Sequence, residues 1–153
     1  MPSRFAIRPF ETHDTEAVVA LWRRAGLTRP WNDPYLDIQR KLDEDPTLFL
    51  IIECEGHPVA SAMFGYDGHR GWLYYLAVEP SLRGRGHARA LIEEGERLLL
   101  ERGCPKLHLM VRRENAQVIE LYRHLGYAEV ETVTLGKRLI EDTPTGIPSA
   151  DKD

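Results

Sequence analysis

The stretch Ser81-Leu82-Arg83-Gly84-Arg85-Gly86-His87-Ala88 puts two arginines and two glycines at the mouth of an amphipathic segment, directly after an apolar run. Gly84 and Gly86 have no Cβ, so an anion can reach main-chain amides that a side chain would otherwise cover. A helix starting there adds N–H donors without intrahelical partners and a partial positive charge. Arg83 and Arg85 supply full charge within reach of phosphate oxygens. Such a junction suits the grip of a pyrophosphate. The competing reading is a tight turn with two solvated arginines, and the strand-turn-helix context weighs against it.

Two familiar phosphate motifs do not fit. The spacing Gly84-x-Gly86-x-Ala88 has Arg89 where a dinucleotide fingerprint needs its third glycine, and no acidic residue closes the next strand. There is no Gly-Lys-Ser/Thr, which excludes a P-loop.

The elements that must hold this junction follow from periodicity. Residues 5–8 read as a strand and 14–25 as a helix with Val18, Leu21, Trp22 and Ala25 on one face, stopped by Gly26. A Pro-rich loop leads to a second helix over 35–44. Residues 48–54 and 58–64 form a hairpin around Glu55-Gly56, and a turn at Asp67-Gly68 leads into the run at 71–78, expected as the middle strand of the sheet. The helix after the junction carries Ala88, Leu91, Ile92, Gly95, Leu98 and Leu99 on one face and ends at Gly103-Cys104-Pro105. A strand at 107–111, a helix at 115–125 and two strands at about 127–131 and 133–140 complete the order β-α-α-β-β-β-α-β-α-β-β. The expected class is α/β with a mixed sheet. The helix between the strands at 71–78 and 107–111 makes that pair parallel, so the loops leaving both carboxyl ends share one edge, where ligands of open α/β sheets bind.

Bulk properties narrow the partners. A chain of 153 residues with 42% hydrophobic and 29% charged residues suits one domain, here expected over 1–140 with a flexible tail over 141–153. No apolar run approaches the roughly 20 residues of a membrane span, and the first residues show no secretory leader, so a soluble cytoplasmic protein without membrane contact is expected. A net charge of −4 argues against nucleic acid as partner. It also makes an RNA-contacting role for residues 83–86 unattractive, since no stacking aromatics interleave there. Cys54 and Cys104 lack metal-ligand spacing and read as reduced thiols; no metal is expected.

The residues Arg83-x-x-Gly86-x-Ala88, followed by "ENAQVIELYRHLGY" over 114–127, resemble the two signature motifs of the GNAT superfamily of acetyl-CoA-dependent N-acetyltransferases. The likeness of the elements runs from Phe5 to about Ile140. Within that superfamily, "RPWNDP" (29–34), "YDGHRG" (66–71), "RGCPK" (102–106) and "LGKRLIED" (135–142) resemble the bacterial YpeA group.

The resemblance implies acetyl-CoA as acyl donor and an amine as acceptor. The main chain over Arg83, Gly84, Arg85, Gly86, His87 and Ala88 would hold the pyrophosphate. Leu76, Ala77 and Val78 would pair with the pantetheine arm where the parallel strands splay, with Asn115 as a further partner; a plain N-cap role for Asn115 is the alternative. Tyr122 would face the thioester sulfur, whose thiolate leaves as the amine attacks; a core aromatic is the alternative. A main-chain amide at Leu76 or Ala77, freed by a bulge, would meet the oxyanion. Direct transfer in a ternary complex needs no nucleophilic cysteine. Glu79 is the first candidate base, ahead of His108 and Asp67, with a solvated surface charge as its alternative. Some protein N-terminal acetyltransferases of this family carry a glutamate where Met110 stands. Trp31, Asn32, Asp33, Tyr66, Asp67 and His69 combine aromatic walls with polar groups and are expected to contact the acceptor, although capping and turn roles suit Asn32, Asp33 and Asp67 equally. A non-catalytic acyl-CoA sensor is the rival reading, and a second copy of the chain is left open as a partner.

Overall fold

The computed structural model describes residues 4–142. β1 (Phe5–Pro9) pairs antiparallel with β2 (Phe49–Cys54), and β2 with β3 (His57–Tyr66). The β2–β3 connection is Glu55-Gly56, with φ of 52° and 84°, the doubly positive turn whose twist matches a right-handed hairpin. β4 (Gly71–Val78) adds antiparallel to β3, and β5 (Leu107–Leu109) adds parallel to β4, giving the order β1-β2-β3-β4-β5. The crossover between β4 and β5 is α3 (His87–Glu101). Helices α1 (Thr15–Arg24) and α2 (Pro34–Glu44) precede β2, and α4 (Ala116–His124) follows β5.

Because side chains alternate along a strand, β2 feeds two cores at once. Leu50 and Ile52 join Ala62, Phe64 and Leu73 beneath Leu91, Ile92 and Leu99 of α3 and Tyr122 of α4. Phe49 and Ile51 join Met63 and Ala77 against Val18, Trp22 and Ile38 of α1 and α2. Helix α3 lies close on the sheet because residue 95 is glycine; a Cβ there would stand 2.1 Å from Cζ of Phe64.

Three expectations change. The middle strand of the five is β3, with five consecutive buried residues, and β4 lies next to the β5 edge. The strands expected at 127–131 and 133–140 do not form among the described residues: the chain after α4 runs irregularly, with Val133, Leu135 and Leu139 at 84%, 89% and 87% exposure. β5 offers a ladder of only three residues, and side-chain bonds from Arg138 and Asp142 draw the segment across to the start of α2 instead. Finally, Asp142, placed in the expected tail, is fixed by those bonds with its side chain 0% exposed; the rest of that tail, 143–153, lies outside the described residues.

Candidate active site

Ser61 pairs with Ala77 and Met63 with Tyr74, so Tyr75 and Leu76 together oppose the single residue Ala62. This is a β-bulge in β4. Tyr75 takes φ 52°, a conformation that costs a non-glycine residue about 1–3 kcal/mol unless its surroundings enforce it. They do. Its ring lies on Trp22 with centroids 3.8 Å apart and planes 9° from parallel. Its hydroxyl donates to Asp37 Oδ2 at 2.6 Å, and its carbonyl accepts from the Ser61 hydroxyl at 2.9 Å. The Ser61 oxygen in turn accepts from Trp22 Nε1 at 2.8 Å.

The bulge shifts the alternation of β4. Leu73 packs on the α3 side, Tyr75 and Ala77 pack on the α1–α2 side, and Leu76 and Val78 return to the α3 side. The β4–β5 ladder stops at Leu73 paired with Leu109, just before the bulge. Beyond that point the edge of β4 along Leu76, Ala77 and Val78 is not paired to β5.

In the turn between β4 and α3, Gly84 and Gly86 have φ of 79° and 86°, and a Cβ added at either would meet nothing within 4 Å. Gly86 caps α3 without a side-chain hydrogen bond, so the first-turn amides are left for a ligand. Arg83 and Arg85 are exposed and Ala88 is half-buried. His87 differs from its neighbours: its side chain is 9% exposed and turned onto the Phe5 ring, centroids 4.5 Å apart, leaving only its main chain to the loop.

Asn115 occupies the N-cap position of α4, yet its side chain makes no capping bond and is exposed. Tyr122 is 7% exposed and edge-on to Tyr127 at 5.6 Å, and burial pushes its phenol up to about 12. Among the described residues no hydrogen-bond partner takes the Tyr122 hydroxyl.

Glu79, at the exit of β4, receives three hydrogen bonds from the Arg24 guanidinium, the shortest 2.6 Å. The residues expected around the acceptor fall into two groups that the fold keeps apart. Asn32 and Asp33 stand at the start of α2: Asp33 caps the helix, its N–H donates to Asp142 Oδ2 at 2.9 Å, and Asn32 Oδ1 accepts from Arg138. Asp142 also receives Arg40 at 2.7 Å, and that bond chiefly holds its carboxyl down at about 2. Trp31, half-buried, precedes them. Tyr66, Asp67 and His69 lie at the other end of β4, roughly 23 Å from its exit. There the Tyr66 hydroxyl reaches the Gly103 carbonyl at 3.5 Å, and Asp67 accepts from the N–H groups of His69 and Arg70, which hold its carboxyl below the usual range. Sequence spacing does not single out Tyr75, Ser61 or the Arg40–Asp142–Arg138 group. The one available signal was that Asn32-Asp33 and Arg138–Asp142 belong to two of the quoted motifs.

Cys54 and Cys104 are free thiols, and among the described residues no three His, Cys, Asp or Glu side chains gather as metal ligands. Among the same residues no helix is long and apolar enough to cross a membrane.

The profile of the acetyltransferase (GNAT) family matches residues 15–127. The chain belongs to that family. It is 59% identical over 136 residues to an acetyltransferase of Pectobacterium atrosepticum, covering 89% of this chain and 96% of the other, and 55% identical over the same length to one of Yersinia enterocolitica, with the same coverage. Among solved structures, the ribosomal-protein-S18-alanine N-acetyltransferase of Escherichia coli shares 28% identity and a TM-score of 0.68, with 82% of this chain and 79% of that one covered. The aminoglycoside acetyltransferase AAC(6′)-Iy, solved with a CoA-based bisubstrate analogue, shares the fold at 23% identity and a TM-score of 0.71, with 89% and 99% covered. This GNAT protein is therefore an acetyl-CoA-dependent acetyltransferase.

Ser61 and Trp22 are both 0% exposed. Ser61→Ala removes the acceptor of a buried indole N–H and the donor to the bulge carbonyl, so it should lower unfolding free energy by about 2 kcal/mol in urea denaturation. A loss below about 0.5 kcal/mol would mean that the bulge stands without this brace.

Proposed function

We propose that this enzyme passes the acetyl group of acetyl-CoA directly to a primary amine of a small molecule, peptide or protein within a ternary complex. The observation that carries the reading is the combination of an uncapped glycine turn leading into α3, a bulged strand whose β5-side edge is unpaired beyond Leu73, and a buried phenol with its hydroxyl unspent. The open space at Gly84 and Gly86 fits a pyrophosphate held by main-chain amides, with Arg83 and Arg85 beside it. Leu76, Ala77 and Val78 supply a strand edge for the pantetheine amides, and the free side chain of Asn115 a further partner. Acetyl-CoA supplies an activated thioester. Both structural neighbours named above are N-acetyltransferases by name, one of an aminoglycoside and one of a protein alanine, which supports an amine acceptor. The net charge of −4 favours a cationic one.

In this reading the bulge amide at Leu76 or Ala77 steadies the developing oxyanion. The Tyr122 hydroxyl faces the departing sulfur. A phenol at about 12 is a much weaker acid than a thiol at about 8.5, so complete transfer of its proton to the thiolate lies roughly 5 kcal/mol uphill. Tyr122 acts instead by donating a hydrogen bond that strengthens as the thiolate forms. Glu79 takes the amine proton, directly or through water. Its carboxylate has about four lone-pair sites, and Arg24 occupies three hydrogen bonds' worth, which leaves one to accept. Trp31, Asn32 and Asp33 wall the acceptor side; Tyr66, Asp67 and His69 contact only an acceptor long enough to run along β4.

The direct test is thiol release from acetyl-CoA across a panel of amines. Amine-dependent release matched by acetylated product is expected, whereas cofactor-induced thermal stabilisation with no release for any amine would favour the sensor reading. Tyr122→Phe should lower kcat about 100-fold with acetyl-CoA affinity within about twofold; equal loss of both would contradict its role at the sulfur. Gly86→Val, read on the folded fraction, should weaken acetyl-CoA binding at least about tenfold by filling the open mouth, and unchanged affinity would remove the pyrophosphate from this loop. Glu79→Gln should lower kcat/KM about 100-fold at neutral pH, with the deficit shrinking towards pH of about 10, where the amine sheds its proton unaided. A deficit below about twofold at every pH would leave Glu79 as the ion-pair partner of Arg24 and nothing more.

A further inference from the structure

The segment after α4 is tied down at both ends and open in between. At its start the Tyr127 N–H donates to the Tyr122 carbonyl at 3.0 Å, and the Tyr127 hydroxyl donates to Glu96 at 2.6 Å. At its end Arg138 and Asp142 are fastened to Asn32, Asp33 and Arg40. Residues 128–137 form an arm between these anchors. Among the described residues the arm holds one main-chain hydrogen bond, from the Thr132 N–H to the Val130 carbonyl at 2.9 Å. Val130, Val133 and Leu135 stand exposed on it, and Leu139 and Ile140 continue the exposed apolar run past Arg138. A folded chain rarely leaves so many large apolar side chains in water along one stretch, and such a stretch marks a contact with another molecule.

A matching surface lies at the end of the sheet. β5 is its edge strand, and among the described residues nothing pairs with the outer side of β5. An open edge is a template for a further strand. Trp72 and His108 are in register and meet edge-on with centroids 5.0 Å apart, so they share one face of the sheet. Tyr74 lies beside Trp72 at 6.4 Å, and alternation puts Lys106 and Met110 on the face of His108. Tyr74 and Met110 are 45% and 53% exposed. Among the described residues neither Lys106 nor Glu131 of the arm has an ion-pair partner.

We infer that a second copy of this chain covers this edge: in a two-fold pair each copy lays its arm along the outer side of its partner's β5. One parallel register satisfies apolar and charged groups together, with Leu135 beside the partner's Met110, Val133 beside the partner's His108 and Glu131 beside the partner's Lys106. Lys106 to Met110 and Glu131 to Leu135 each cover about 13 Å of extended chain. The two-fold makes the contact twice, and main-chain bonds to the edge add to the apolar burial. The Arg138 and Asp142 bonds draw the arm away from its own β5, whereas the arm of another copy reaches that edge with its bonds intact. Residues 143–153 suit the edge less well, since they offer one large apolar side chain, Ile147, and two prolines. The interface uses none of the groups assigned to acetyl transfer.

The test is sedimentation equilibrium on the full chain. A dimer with a dissociation constant of about 1 μM or tighter is expected. A monomer at about 100 μM would overturn the inference, whether the edge is then covered by residues 143–153, by a different protein or by nothing. Leu135→Lys alters a side chain that is 89% exposed in the single copy, so the far-ultraviolet circular dichroism should stay unchanged. Its dimer dissociation constant should rise at least about 100-fold. Met110→Glu should act the same way from the other side of the contact. Mixed in equal amounts, the two variants should pair again, because the hybrid has one unaltered contact and sets the introduced lysine against the introduced glutamate in the other. If Met110→Glu unfolds, Glu131→Lys mixed with Lys106→Glu makes the same exchange on two exposed side chains. Undiminished dimerisation of Leu135→Lys would place the interface elsewhere and overturn the inference, and so would folded variants that stay apart on mixing.

Discussion

The active edge depends on one residue held where it would not rest by itself. Tyr75 at φ 52° exists on β4 because four groups insist on it: the Trp22 ring beneath it, the Asp37 carboxylate at its hydroxyl, the Ser61 hydroxyl at its carbonyl and the ladder on either side. Remove the bulge and the alternation of β4 runs unbroken. Tyr75 and Ala77 would then face α3, and Leu76 and Val78 would face α1. The two-core arrangement fails under that change, because Ala77 fits beside Trp22 and Phe49 and Leu76 does not. The bulge is thus fixed by packing on both faces.

A second constraint acts at the start of α2. The carboxylate of Asp142 meets the Asp33 N–H, Arg40 and Arg138, and Arg138 also reaches Asn32. Three of these four contacts join residues more than a hundred positions apart, all are charge-assisted, and the Asp142 carboxylate at their centre is 0% exposed although Arg40 stays open to solvent. They explain why a segment with apolar residues at 133, 135, 139 and 140 fails to settle as a strand among the described residues. Its backbone is committed elsewhere by side chains at its far end, and the three-residue ladder of β5 competes poorly with that.

The legible part of this protein was local. The strand-turn-helix junction at residues 81–88, the Glu55-Gly56 hairpin and the apolar face of α3 each follow from residues a few positions apart, and each stands as read. The unread part required distant partners. Val133 and Leu135 alternate as a strand does, and nothing within that window reveals Asp142 bound to α2. Glu79 reads as an unpaired carboxylate before Pro80 until the fold brings Arg24, 55 residues away, against it. The register slip at Tyr75 and Leu76 is written in Ser61 and Trp22, which lie on other elements. The resemblance to the family suggested a bulge near this point; the side chains that hold it are visible only in three dimensions.

The groups that the proposed reaction assigns to its transition state share a property. The bulge amide is oriented by Ser61, Trp22 and Asp37, and the Tyr122 ring is fixed by the α3–α4 core and by Tyr127, which the Glu96 carboxylate holds through a 2.6 Å bond. None of these supports belongs to a ligand. The cost of organising the donors, including the strain at Tyr75, is therefore met when the chain folds and not when acetyl-CoA binds. Donors placed in advance need no reorganisation as charge develops, which is the condition under which a hydrogen bond is worth most to a reaction. A proton shuttle would call for a phenol nearer the acidity of the thiol, and burial moves Tyr122 the other way. The same burial that makes it a poor acid keeps it protonated, and its hydroxyl hydrogen available, at neutral pH.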